Sequence, residues 1–96
     1  MDKITQKTAL GILEEDNPNM RQSALIIYVD AFLDYAEAES NISKNGAIVA
    51  HPRTGTPIDN PYLRVRCQAV KVIQGKAFAF LKSERLWQSI RTQAFQ

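Results

Sequence analysis

Among 96 residues the chain has one cysteine, one histidine, one tryptophan, four glycines and four prolines. With Cys67 alone no internal disulfide can form, which suits a reducing compartment. With His51 alone, any Ser-His-Asp or Cys-His site has to use that one imidazole, and it sits beside Pro52 in turn-forming sequence with no partner residues marked around it. One histidine and one cysteine do not build a tetrahedral zinc site. Gly75-Lys76 fails as a phosphate loop: Val70 stands where the earlier glycine belongs, and Ala77 replaces the Ser/Thr. Catalysis is therefore not expected, and neither is a metal or other cofactor. There is no run of about eighteen apolar residues, so no membrane span is expected. The opening MDKITQKTALGILEEDNPNM shows neither the apolar core nor the cleavage site of a signal peptide. The expected location is the cytoplasm, where the sequon Asn41-Ile42-Ser43 has no meaning. A chain this short makes one domain with a modest core, to which partner subunits can add stability.

The charge that is present is divided. Residues 1–43 hold eight acids against Lys3, Lys7 and Arg21, and residues 44–96 hold nine bases against Asp59 and Glu84. The net charge of +2 hides a split of −5 and +7 between those segments. Such a split points either to a basic working surface in the second part or to two solvated faces that attract each other.

Apolar periodicity predicts four helices. The first is short and weak over residues 4–14, interrupted by Gly11. The second runs from Met20 to Ser43, with Asn17-Pro18 able to serve as cap and first-turn proline. At about 100° per residue, Leu25, Val29, Phe32 and Ala36 share one face, and Asp30, Asp34 and Glu37 the opposite one. Glu39 lies near the apolar side. The third runs from Pro61 to Lys82, opened by Asn60-Pro61. Tyr62, Val65, Ala69, Ile73, Ala77 and Phe80 form its apolar face; Arg64, Lys71 and Lys82 line the other, with Arg85 near if the helix continues. Arg66 and Lys76 flank the apolar stripe. The fourth, residues 83–93, carries Leu86, Trp87 and Ile90.

Five of the eight glycines and prolines fall between Gly46 and Pro61, in GAIVAHPRTGTPIDNP. Ala47–Ala50 and Thr56–Asp59 are β-favouring runs, and Pro52-Arg53-Thr54-Gly55 supplies the turn between them. Pro57 suits an edge strand. Two antiparallel helices can be joined by a few residues; a hairpin in that place either makes contacts or covers the end of the helix pair. The basic third helix has three readings: a row of phosphate contacts for nucleic acid, a membrane-surface helix, or a solvated outer face.

GAIVAHPRTGTPIDNPYLRVRCQAVKVI resembles the core of the phage terminase small subunits, in the branch where a long helix leads through a β-hairpin to a second long helix. The matching positions are Pro52-Arg53-Thr54-Gly55 and Asn60-Pro61-Tyr62-Leu63, and the resemblance spans about residues 20–82. It implies a non-enzymatic viral DNA-packaging subunit that forms rings, binds double-stranded DNA and regulates the large terminase subunit in the host cytoplasm. Many members carry a helix-turn-helix before this core, for which about twenty residues are too few. Members often close the second helix with a turn and an arginine, where Arg85 or Arg91 stands here.

The expected fold is all-α: a long antiparallel helical hairpin (residues 20–82) with a small β-hairpin at its connection, a short N-terminal helix (1–19) and a C-terminal helix (83–96). The two long helices are expected to bury their apolar faces against each other. Arg64, Lys71, Lys82, Arg85 and Arg53 are the DNA-binding candidates. Asp30, Asp34, Glu37, Arg66, Lys76 and Trp87, with Phe95, are the oligomer-contact candidates, since an acidic and a basic edge allow head-to-tail docking. The rival reading is a small phage- or prophage-encoded interaction module that binds no DNA.

Overall fold

The computed structural model of the chain describes residues 5–94, with side chains as far as Ser89. Phe95 and the side chains of Ile90 and Arg91 lie outside the described residues. The order is α1 (Gln6–Asp16), α2 (Gln22–Asn45), β1 (Ile48–Ala50), β2 (Pro57–Asp59), α3 (Tyr62–Ile73), a 3-10 turn (Lys76–Phe78) and α4 (Glu84–Ala94). The chain is mainly helical with one small hairpin, as the pattern and the resemblance imply.

Thr5 starts α1, its hydroxyl accepting the Thr8 N–H at 3.2 Å. Ala9 and Leu13, one turn apart, are fully buried against α2. Asn17 ends α1. Its backbone N–H donates to the Leu13 carbonyl at 2.8 Å, and its side-chain amide donates to the same carbonyl at 3.1 Å. The amide then grips Lys82, donating to the Lys82 carbonyl and accepting the Lys82 N–H, both at 2.8 Å. Asn17-Pro18 therefore does not start α2, contrary to the Asn-Pro signal: the amide is consumed at the end of α1, and α2 begins after Arg21.

α2 has two buried faces. Leu25, Tyr28, Val29 and Phe32 meet Ala9 and Leu13 of α1 and Leu86 of α4 in the main core. Ala31 and Ala38 form the second face, and α3 lies over it. Its Tyr62 and Arg66 side chains reach Glu37 and Glu39, the residues on either side of Ala38. Small residues let the two helices approach closely, and Ala69 is the only fully buried residue of α3. The expected pairing of large apolar faces between the two long helices is thus replaced: the large side chains of α2 go to α1 and α4, and α3 rides on alanines.

α3 also ends at Ile73, well short of the predicted Lys82. At Gly75 the backbone turns extended, with φ −63° and ψ 152°. A Cβ there would stand 3.1 Å from the Val72 carbonyl, so the glycine fits where another residue would crowd the helix end. The turn carries Phe78 into the core, where its ring meets Tyr28 edge-on at 5.2 Å. Phe80, assigned to the apolar face of a continuous helix, instead points into solvent at 98% exposure, and Ala77 is exposed as well. The gain from burying Phe78 outweighs the few helical hydrogen bonds lost, each worth only about 1 kcal/mol net.

The two strands pair antiparallel with Val49 opposite Ile58. His51 N–H to Thr56 carbonyl (2.9 Å) and Asn60 N–H to Ala47 carbonyl (2.7 Å) extend the ladder at both ends. Gly55 has φ +72°, a left-handed conformation that a β-branched residue resists. Gly55→Val is expected to destabilise the chain by about 1–2 kcal/mol, read as a lower melting midpoint, with loss of the Gly55 N–H to His51 carbonyl bond seen at 2.8 Å. An unchanged midpoint would rule out the left-handed turn.

Candidate functional site

Asn60 fixes the hairpin to the helices. It is 2% exposed. Its amide donates to the Asn41 side chain and to the Gly46 carbonyl, both at 2.9 Å, and accepts the Tyr62 N–H at 3.0 Å. One side chain thus ties the end of α2, the start of the hairpin and the first turn of α3. The Asn60-Pro61 cap forms as the sequence signals, with Pro61 preceding the first helical residue. Pro52 and Arg53 stand exposed on the turn at the far end.

α3 contains no acidic residue. Arg64 and Lys71 lie two turns apart on its outer face, about 10.5 Å along the axis, with Cys67, Gln68 and Gln74 exposed around them. Among the described residues neither cation takes part in an ion pair. Lys82 does not extend this row, because α3 has ended. It is exposed on the connector to α4, its backbone held by Asn17. Lys76 is exposed on the 3-10 turn.

Arg85, although exposed, pairs with acids of its own chain. It contacts Glu15 at 2.6 Å and Asp16 at 3.5 Å, the last residues of α1. The hydrogen bond to Glu15 raises its pKa further, so the guanidinium is charged throughout the working range. It links α4 to α1 at the surface, so a phosphate would have to compete with Glu15 and Asp16 for it. Arg66 is likewise engaged, 2.7 Å from Glu39.

Of the acidic row on α2, Asp30 accepts a hydrogen bond from Gln6 at 2.9 Å, Glu37 accepts the Tyr62 hydroxyl at 3.2 Å, and Asp34 is exposed. Hydrogen bonding to the Glu37 carboxylate raises the Tyr62 pKa above its ordinary value. The contact is complete below the ordinary tyrosine value of about 10 and is lost as pH rises through the raised one. Trp87 is half-buried, packed on Phe32 and Tyr35, with its indole N–H donating to the Tyr28 hydroxyl at 3.0 Å.

The surface that remains is a short basic row on α3, two separate lysines and a rigidly mounted hairpin. Among the described residues no cluster of His, Cys, Asp or Glu could hold a metal ion, and no helix is long and apolar enough to cross a membrane. The buried amide of Asn17 was the feature hidden from periodicity. Its only signal, Asn before Pro, is the one that marks Asn60.

A family model described as phage terminase, small subunit, matches residues 6–80, from the start of α1 to just past the 3-10 turn. No curated protein and no solved structure matches the chain.

Proposed function

Since this chain belongs to the phage terminase small subunit family, and so serves in packaging phage DNA, we propose that it assembles with copies of itself, binds double-stranded DNA through the outer face of α3, and regulates the large terminase subunit without catalysing a reaction. The observation that carries the DNA part is the unpaired Arg64 and Lys71 on a helix with no acid. Arg53 at the hairpin tip adds charge beyond the helix. The shape supports assembly. The chain extends 50 × 30 × 17 Å, and its accessible surface of 6974 Å² exceeds the about 5,500 Å² of a compact monomer of this mass. The acidic row at Asp30, Asp34 and Glu37 offers a neighbour one charged edge.

Light scattering and salt-dependent DNA binding test this reading. DNA affinity is expected to fall with salt on a log–log slope of about −0.9 per phosphate neutralised. Arg64→Gln with Lys71→Gln makes the slope shallower by about 1.8 and weakens binding to all sequences alike. A monomer that binds no DNA at low salt would leave the rival reading, a protein-binding module.

A further inference from the structure

Phe80 and the hairpin end of the molecule form two halves of one contact. Phe80 is 98% exposed, the most exposed of the large apolar side chains described. The connector does not leave it loose. Phe78 on one side is packed on Tyr28. Leu81 on the other packs against the core, its N–H donating to the Phe78 carbonyl at 3.1 Å. Asn17 then pins Lys82 through both its N–H and its carbonyl. The ring is a knob on a fixed mount, flanked by the exposed Lys76 and Lys82.

The opposite end of α2 has an open concavity of about 530 Å³, lined by Asn41, Ile48, Ala50, Pro61 and Tyr62 among others. Ile48 is 57% exposed there. Its floor is rigid, because Asn60 joins the three elements that form it. The strand register also leaves β1 open. Residues 47 and 60, and residues 51 and 56, are the hydrogen-bonded pairs, so the backbone groups of Ile48 and Ala50 point away from β2. Knob and socket are well apart: from Tyr28, which holds Phe78, to Asn41 the helix rises about 20 Å.

We propose that Phe80 of one copy seats in the hairpin–helix concavity of the next copy. This deepens the assembly reading above and rests on it. The occupant is a second copy because the same chain carries the exposed aromatic at one end and, at the other, a recess where Ile48, Ala50, Pro61 and Tyr62 stand beside three asparagines. Charge favours the same pairing: Lys76 and Lys82 flank the knob, while the exposed Glu37, bonded to Tyr62, and Asp59, opposite Ile48, border the socket and outnumber Lys44, which follows the lining Asn41 by one turn. Such a contact is heterologous. Repeated with a closing rotation it makes a ring, and its two halves can be disabled separately.

The experiment uses Phe80→Asp, which spoils the knob, and Ala50→Arg, which fills the socket and repels the lysines. Both positions are exposed, so circular dichroism, and the melting midpoint in solutions too dilute for wild type to assemble, are expected to match wild type. Each variant alone is expected to be monomeric by light scattering at concentrations where wild type assembles. Mixed together they retain one working knob and one working socket, and are expected to form a one-to-one dimer and nothing larger. The milder Phe80→Ala weakens association about 10- to 100-fold, the effect of losing one buried aromatic. An assembled wild type with Phe80→Asp of unchanged mass overturns the contact and leaves assembly standing. A wild type that stays monomeric overturns the assembly reading and the contact together. Unchanged mass with weakened DNA binding assigns Phe80 to DNA and overturns the contact.

Discussion

Asn17→Asp is expected to lower stability by about 3–5 kcal/mol at neutral pH. The substitution changes one nitrogen to one oxygen and almost no volume, so packing is not the cause. The native amide is 7% exposed and donates to two carbonyls, Leu13 at 3.1 Å and Lys82 at 2.8 Å. A carboxylate cannot donate, and its charge would face both carbonyl oxygens in a site with little water. Only the bond accepted from the Lys82 N–H survives. A chain of this length has about 5–14 kcal/mol of total stability, so the change removes a large share. The melting midpoint should drop on the order of 15–25 °C. Burial and the two carbonyls raise the introduced carboxyl's pKa in the folded state. The protonated form can donate once, so part of the lost stability returns as pH falls through that raised value and is complete below the unfolded value of about 4. Wild type shows no such recovery at this site. A midpoint within a few degrees of wild type at pH 7 would show that Asn17 does not staple α1 to the connector.

Asn17 and Asn60 show where sequence stops informing. Both precede proline, and the local signal is the same. Asn60 does cap α3, its side-chain oxygen accepting the Tyr62 N–H, because the hairpin delivers it there. Asn17 is claimed by Lys82, sixty-five residues away, and no local pattern contains that partner. The face of α2 with Leu25, Val29 and Phe32 was legible, since a 3.6-residue period marks burial whatever the neighbour is. Which neighbour buries it was not. The turn at Pro52–Gly55 was legible because its determinants, a fixed φ and a left-handed glycine, are local. The end of α3 was not, because the periodic pattern continues past Gly75 and only Tyr28 decides that Phe78 goes in and Phe80 out. The same holds for the cations. Arg64 and Arg85 look alike in sequence, yet Glu15 and Asp16 occupy Arg85 from the far end of the chain.

Trp87 is the residue for which these two levels lead to opposite experiments. As an exposed aromatic on an amphipathic helix it would supply affinity between subunits, and its removal would leave each protomer intact. In the structure its ring lies 4.8 Å from Phe32 and 5.3 Å from Tyr35, edge-on to both, and its N–H is used by Tyr28. Leu86 beside it is fully buried in the same core. α4 therefore docks through Leu86 and Trp87, with Arg85 adding an exposed ion pair that solvent screens. Trp87→Ala is expected to cost about 3 kcal/mol, a fall in melting midpoint on the order of 10–20 °C, and to release α4 from α1 and α2. Trp87→Phe keeps the ring contacts and loses the bond to Tyr28, a change of about 1 kcal/mol. Concentration separates the two roles. A side chain that stabilises the protomer gives the same loss at every protein concentration, whereas a subunit contact gives a loss that vanishes on dilution, where neither protein assembles. If the midpoint of Trp87→Ala equals that of wild type in dilute solution and falls behind only when wild type assembles, Trp87 belongs to the interface, and the aromatic packing of α4 on α2 is not what holds this end of the protomer together.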